Sequence, residues 1–126
     1  MKGYVVTVYK TIKDEDVLKK YAVKAREAIK KYKGKFLVRG GKKITTEGDE
    51  SPRTIVIEFP SFTEAEIFFY SKEYQEAHAI LKGVAVRHHQ IIEGSSYCIG
   101  SGSILLQRYQ VATEQYGVNR LFNNFT

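Results

Sequence analysis

Two short segments of this chain are apolar on both of their alternating faces, and no other feature constrains the fold more. Tyr4–Tyr9 and Thr54–Phe59 are rich in β-branched and aromatic residues, which are typical of strands. A strand with one face in water should alternate cleanly between apolar and polar residues. We therefore predict a sheet that is covered on both faces, with helices of the chain on one of them.

Helical patterns lie between the predicted strands. Carboxylates beginning at Asp14 suit a helix start, and an apolar stripe with spacings of three and four residues runs on to Tyr32. Gly34 is expected to end this helix as its C-terminal cap. A second helical region is predicted to begin at a capping box over Thr63–Glu66, to break near Ser71, and to resume as far as Leu81.

The remaining strands complete a regular order. Strands are predicted over residues 35–39 and 86–93, with a short edge strand over 42–46 after the Gly40-Gly41 corner. The resulting order is β-α-β followed by β-α-β. It predicts an α+β fold, a ferredoxin-like sandwich with an antiparallel sheet and two helices on one face.

The same order carries a resemblance to a known family. The segments Gly34–Gly41, Thr54–Ser61 and Tyr70–Gln75 hold two apolar strands, a Gly-Gly corner beside an Arg, and an aromatic helix start. Over residues 3–94 the chain resembles the domain-of-unknown-function 1330 family of the dimeric α/β-barrel superfamily. The resemblance implies a ferredoxin-like homodimer that pairs through the sheet face, which agrees with the two-sided apolar strands.

The resemblance leaves the activity open. The wider superfamily includes cofactor-independent monooxygenases and isomerases, and it implies a small-molecule cleft between the sheet and the helices. We expect such an enzyme, with no cofactor, acting on an aromatic or keto-acid substrate. The alternative is a dimeric binding or stress-related module that is not catalytic, in which the cleft is only core.

Composition narrows the classes of partner and compartment. The chain has 126 residues and no apolar run long enough for a membrane span. Its N-terminus leads directly into a strand pattern without a signal peptide, and a single cysteine suits a reducing cytoplasm. The net charge is +6, and Lys and Arg concentrate between Lys10 and Lys43, largely on the first helix. Acidic residues are mixed in with them, so nucleic acid is an unfavoured partner.

Four residues are candidates for a ligand site on the basis of their chemistry. Arg39 precedes the Gly-Gly corner, where a guanidinium could bind a carboxylate through two hydrogen bonds. Its alternative role is an ion pair with Glu58 or Glu93. Tyr21, Tyr70 and Tyr74 could wall a pocket, or they could simply pack helix against sheet.

Acid–base candidates lie on two strands. Glu58 lies between apolar neighbours and is either a general base or an ion-pair partner of Arg39 or Arg87. His88 and His89 must point to opposite faces, so one of them could face the interior and act as a general base. Which of the two does so stays open, and His88 is named as a candidate ligand residue. No spacing typical of metal ligands is present, so no metal is expected.

The last part of the chain differs in composition from the rest. Residues 95–126 contain no Lys, and Ser and Gly cluster near residue 100. We predict a C-terminal extension beyond a 1–94 domain. An edge strand, an arm that embraces the partner subunit, a disordered tail and a reading-frame accident all remain open for it.

Overall fold

The computed structural model describes residues 1–95, and predictions that fall on residues 96–126, including those for the extension and Cys98, lie outside this range. The described part consists of four strands and three helices. In chain order they are β1 (Gly3–Ile12), α1 (Glu15–Lys31), β2 (Lys35–Arg39), β3 (Thr54–Phe59), α2 (Phe62–Tyr70), α3 (Lys72–Ile80) and β4 (Ala85–Glu93).

The strands form one antiparallel sheet in the order β2-β3-β1-β4. With the helices inserted after β1 and β3, this is the ferredoxin-like α+β sandwich predicted from the sequence. The predicted break in the second helical region is also present. Ser71 ends α2 and caps α3, since its hydroxyl donates to the Phe68 carbonyl and accepts from the Tyr74 N–H.

The helix ends partly correct the sequence predictions. Asp14 caps α1 as expected, accepting from the backbone N–H groups of Asp16 and Val17. The α2 cap, however, is Ser61, whose hydroxyl accepts from Glu64. The cap of α2 therefore lies two residues before Thr63. Ser61 and Glu64 have the Ser-x-x-Glu spacing of a capping box, and the bond from the Glu64 N–H to the Ser61 hydroxyl is the half of that motif that is formed.

Gly34 has a different role from the predicted cap. The residue with positive φ after α1 is Lys33, at 65°. A Cβ on Gly34 would lie 2.6 Å from Ile29 Cγ2 and 2.8 Å from the Phe59 ring. Gly34 is thus required by the close approach of the chain to the core rather than by a left-handed turn.

The edge strand predicted over residues 42–46 is absent, and this segment is irregular. Gly40 and Gly41 both have positive φ, which turns the chain away from the sheet edge. The Gly40 N–H still bonds to the Thr54 carbonyl, so pairing with β3 ends at the corner.

The two faces of the sheet have different surroundings. Val5, Thr7 and Tyr9 of β1 are buried beneath the helices, whereas the alternate residues Tyr4, Val6 and Val8 are only half-buried. The main core cluster lies on the helix-facing side, which also contains the cavity described next.

Candidate functional site

A cavity of about 440 Å³ lies between α1 and the helix-facing side of the sheet. Its walls are mostly apolar, with polar groups from β1, α1, α3 and β4 converging on one region. The polar and aromatic residues at that region are Thr7, Tyr9, Tyr21, Tyr74, Arg87 and His89. Cavities of this size with few convergent polar groups are typical of small-molecule sites.

Arg87 is the centre of the polar group. Its guanidinium donates to the hydroxyls of Tyr74 at 2.8 Å, Tyr21 at 3.0 Å and Tyr9 at 3.3 Å. The Tyr21 and Tyr74 hydroxyls are also 2.9 Å from each other. The cation lies 5.0 Å from the centre of the Tyr21 ring, within the range of a cation–π contact. Three tyrosines from three elements therefore hold one positive charge.

Strand alternation explains how this group assembles. Arg87 and His89 are two residues apart on β4 and so share the helix-facing side. In the register, Arg87 pairs with Tyr9 and His89 pairs with Thr7. Tyr21 reaches the same region from α1.

An aromatic wall borders His89. Its ring is stacked with Tyr74 at 6.2 Å between centroids, and Phe69 lies 5.4 Å away. Tyr74 is 1% exposed, and its ring also contacts Phe68 at 4.6 Å. The imidazole is thus enclosed by rings on one side and faces the cavity on the other.

The charges in the site set its protonation states. Burial, and after it the positive charge of Arg87, lower the pKa of His89 to about 3. Burial raises the pKa of Tyr21, with a further contribution from Tyr74. Burial alone would lower the pKa of Arg87, but the tyrosine oxygens raise it on balance. At neutral pH the site therefore contains a charged Arg87, a neutral His89 and the neutral phenols of Tyr9 and Tyr21.

Three of the residues predicted from the sequence line the cavity. Tyr21 and Tyr74 do so through their contacts with Arg87. Arg39 pairs with Ile55 in the register and shares its helix-facing side, with its guanidinium 5.0 Å from the centre of the Phe36 ring. The ion pair considered for Arg39, with Glu58 or Glu93, is not formed.

The other three predicted residues do not line the cavity. Tyr70 is 72% exposed and packs edge-on against Phe69. Glu58 lies on the opposite sheet face, where it accepts a hydrogen bond from the Tyr4 hydroxyl at 3.2 Å. His88 also lies on that face and does not line the cavity, so the histidine on the helix-facing side is His89.

Sequence reasoning also missed the centre of the site. Arg87 was considered only as a partner for Glu58, and Tyr9 was assigned to the strand core. The signal was present in the spacing, because residues 87 and 89 share a face and one residue of the His pair must lie inside. The spacing alone could not show that β4 lies beside β1, which brings Arg87 to Tyr9 and Tyr21.

The described residues contain neither a metal-binding cluster nor a helix that could span a membrane. Residues 1–95 contain no cluster of three or more His, Cys, Asp or Glu side chains that could hold a metal ion. None of the helices within this range is both long and apolar enough to cross a membrane.

Sequence comparison assigns the family. Residues 2–95 match the family described as Domain of unknown function (DUF1330), and the chain belongs to it. This confirms the resemblance predicted from the strand, corner and helix pattern. No match was found among curated proteins.

Solved structures share the fold at low sequence identity. A protein of unknown function from Rhodopseudomonas palustris aligns with a TM-score of 0.62 and 12% identity, over 76% of this chain and 84% of its own. A member of the EthD (ethyl tert-butyl ether d) family from Bacillus halodurans aligns with a TM-score of 0.53 and 10% identity, over 75% of this chain and 100% of its own. A candidate antibiotic biosynthesis monooxygenase from Caulobacter crescentus aligns with a TM-score of 0.52 and 12% identity, over 75% of this chain and 90% of its own.

Proposed function

We propose that the cavity binds a small organic anion with an aromatic or apolar body, and that Arg87 receives its anionic end. The observation that carries this proposal is the state of the Arg87 guanidinium. It lies in a cavity wall among three tyrosine hydroxyls, and no carboxylate pairs with it within residues 1–95. A partly buried cation without a counter-charge favours an anionic ligand.

We further propose that the bound anion undergoes cofactor-independent proton transfer, with His89 as the base. His89 is two residues from Arg87 on the same strand face, so a ligand held by Arg87 extends past the imidazole. In the free protein the pKa of His89 is lowered by burial and by the Arg87 charge. A bound anion neutralises that charge, so its arrival raises the pKa of His89 and makes it a better base.

The chemical step is balanced without an external reductant. The His89 nitrogen accepts a proton from a carbon beside a carbonyl group. The electron pair of that C–H bond forms a carbon–carbon double bond, and the π pair of the carbonyl group moves to its oxygen. The resulting enolate oxygen is stabilised by the Arg87 and tyrosine donors. Return of the proton at another atom completes an isomerisation. In an oxygenase, the enolate carbon would form a bond to dioxygen, and the resulting hydroperoxide would lose water to leave a new carbonyl group on that carbon, so the substrate itself supplies the electrons.

Fold similarity to a candidate monooxygenase supports this reaction class only by analogy, since the identity is 12%. The residues of this chain are the stronger support, because they combine an anion-binding cation with a neutral base in one cavity. A non-catalytic binding module would use Arg87 in the same way but would not use His89.

Phenylpyruvate is a suitable probe, since it is an aromatic keto acid with exchangeable benzylic protons. Its binding is measured by calorimetry and its benzylic exchange in D₂O by NMR, after subtraction of the uncatalysed rate. We expect Arg87→Gln to weaken binding about tenfold or more, and His89→Gln to abolish exchange while leaving binding intact. Lys24→Gln, on an exposed part of α1 outside the cavity, is the control.

The outcomes separate the two functions. Binding that depends on Arg87, with exchange that depends on His89, supports the enzyme. Binding without exchange overturns the enzyme in favour of the binding module. Phenylpyruvate binding that is unchanged in Arg87→Gln overturns the site itself.

We also propose a homodimer that forms through the outer sheet face, the face opposite the helices. Paired residues across this face include the row Val38, Val56 and Val6, which is apolar and only half-covered. Ile92 on β4 is 50% exposed on the same face. A second copy related by a two-fold axis would cover each such surface with its equivalent. The mass in solution, from light scattering, distinguishes a dimer from a monomer.

A further inference from the structure

The cavity wall contains more positive charge than one carboxylate needs. Besides Arg87, its cationic side chains are those of Lys19, Arg26, Arg39 and Arg53, and Glu15 supplies the acidic group among its described lining residues. Lys19 and Arg26 come from α1, whereas Arg39 and Arg53 come from the β2–β3 side of the sheet.

The strand register separates the arginines into two regions. The Arg53 carbonyl accepts from the Tyr9 N–H, and Tyr9 pairs with Arg87 on its other side. Arg53 and Arg87 are therefore two strand spacings apart, or about 10 Å between backbones. In the neighbouring row, Arg39 pairs with Ile55 and is about 14 Å from His89, which is three spacings.

The wall between these two regions is mostly apolar, and the Thr7 hydroxyl is the polar group on the row from Arg39 to His89. The row that joins Arg39 to His89 passes through Ile55 and Thr7, and both are buried. The neighbouring helix-facing residues of β1 and β3, Val5 and Ile57, also line the cavity. A ligand that spans it thus meets charge at one end, hydrocarbon in the middle and charge again at the other end.

Arg39 and Arg53 have no carboxylate partners within the described range. The ion pairs found in residues 1–95 join Lys31 to Glu73 and Lys43 to Glu50. Arg39 instead stacks on Phe36 at the cavity wall, which holds its planar group beside the apolar part of the cavity. These arginines are consequently available to an anion that enters the cavity.

We infer that the ligand carries two anionic groups at opposite ends of an apolar body: one is received by Arg87 and the other by Arg39 and Arg53. This inference rests on the proposed function, because it assumes that Arg87 binds the inner group. It narrows the substrate class from organic acids in general to elongated diacids, or to acids whose far end bears a phosphate ester.

Two probes of matched shape test the inference. Terephthalate has a second carboxylate where para-toluate has a methyl group, so the comparison isolates the outer anion. Affinities are measured by calorimetry at one ionic strength, for the full chain and for Arg39→Gln/Arg53→Gln. Lys24→Gln is the control for a lost positive charge outside the cavity. Thermal melts establish that each variant is folded.

We expect the full chain to prefer terephthalate about tenfold or more. The double variant should lose this preference but keep its affinity for para-toluate, and Lys24→Gln should change neither. A phenyl phosphate with a para carboxylate then shows which outer group is preferred. If its affinity exceeds that of para-toluate by as much as terephthalate's does, or by more, the result supports a ligand with a phosphate ester at its outer end.

Three results would overturn the inference, and they differ from failure of the proposed function. Equal affinity for the two probes in the full chain means that the arginines are merely solvated, although Arg87 still binds one acid. If the double variant still prefers terephthalate to para-toluate, the outer carboxylate is bound by residues other than Arg39 and Arg53. If neither probe binds although phenylpyruvate does, the inference fails and the proposed function stands. If phenylpyruvate does not bind either, both fail.

Discussion

The two faces of the sheet are built from the same strands and yet differ in almost every physical respect. On the inner face, towards the helices, Tyr9 is buried and joins a charged Arg87 through its hydroxyl. On the outer face, Tyr4 makes a comparable bond to a carboxylate, Glu58, at the surface. Position along an alternating strand therefore decides whether a tyrosine serves a cavity or a surface.

The difference also concerns what each face lacks. The inner face has a cavity and a cation with no counter-charge within residues 1–95, so it favours a small anion. The outer face has half-covered apolar side chains such as Val6 and Val56, so it favours another protein surface. If this division is correct, each face can be altered without affecting the other.

The largest expected effect is on the outer face. Val6→Asp places a charge where a second copy is expected to pack, and an unpaired charge is costly to bury. We expect the dimer to dissociate, with a dissociation constant raised about a hundredfold or more, while phenylpyruvate binding persists. Sedimentation and calorimetry measure the two properties.

Val6→Thr is the control for Val6→Asp, because it preserves shape without adding charge. It should remain a dimer. Loss of ligand binding in Val6→Asp, at unchanged fold by circular dichroism, would mean that the faces are not independent.

The second effect is on the inner face. Ala22 of α1 is half-buried and lines the cavity, so Ala22→Phe should occupy the space that a ligand needs. Phenylpyruvate binding should fall about tenfold or more, with the dimer intact. Ala22→Ser, which adds little volume, should bind as before, and equal binding by both variants would place the ligand elsewhere.

The third effect is on the pH dependence of stability. The folded pKa of His89 is about 3, below the roughly 6.5 of an unfolded histidine. Between these values the unfolded chain binds more protons, so stability is lost as the pH falls through this window. We expect a loss of about 2–3 kcal/mol in the free energy of unfolding from about pH 7.5 to about pH 4.5.

Urea unfolding of the wild type and of His89→Gln measures this contribution. The difference between the two proteins should shrink or reverse as the pH falls, since glutamine does not titrate. His78 also has a pKa lowered by burial, so His78→Gln is the reference for other histidines. A parallel pH dependence in wild type and His89→Gln would show that His89 is accessible to protons in the folded state.

The smallest effect compares equivalent hydroxyls on the two faces. Tyr21→Phe removes a buried group that bridges Arg87 and Tyr74, so it should lower stability by about 1–3 kcal/mol. Tyr4→Phe removes a bond to Glu58 at the surface, and it should be indistinguishable from wild type. Thermal melts of the two variants measure this difference in stability. An equal loss of stability in Tyr21→Phe and Tyr4→Phe would contradict it.

Most of the fold could be predicted from the sequence because each element carries its own periodicity. The two-sided strands and the apolar stripe of α1 are local patterns, and β3 has the predicted bounds. The errors were also local. Lys33 rather than Gly34 takes the left-handed position, and the strand expected after Gly41 does not form because both corner glycines turn the chain away.

The site was less predictable because its members meet only through the sheet order. Tyr21 and Tyr74 were selected as aromatic wall residues, but their shared partner, Arg87, becomes apparent only when β4 lies beside β1. The alternation of side chains along β3 could by itself have excluded Glu58 from the cavity. Its neighbours Ile57 and Phe59 are buried, so the carboxylate between them must point outward.

The most direct measurement is a crystal structure of the full chain with phenylpyruvate. We expect the phenylpyruvate carboxylate to lie on the Arg87 guanidinium, with at least one tyrosine hydroxyl displaced from it. The benzylic carbon of the ligand should lie within hydrogen-bond reach of His89. A ligand on the outer face, or an empty cavity with Arg87 still bonded to Tyr9, Tyr21 and Tyr74 at saturating ligand, would contradict it.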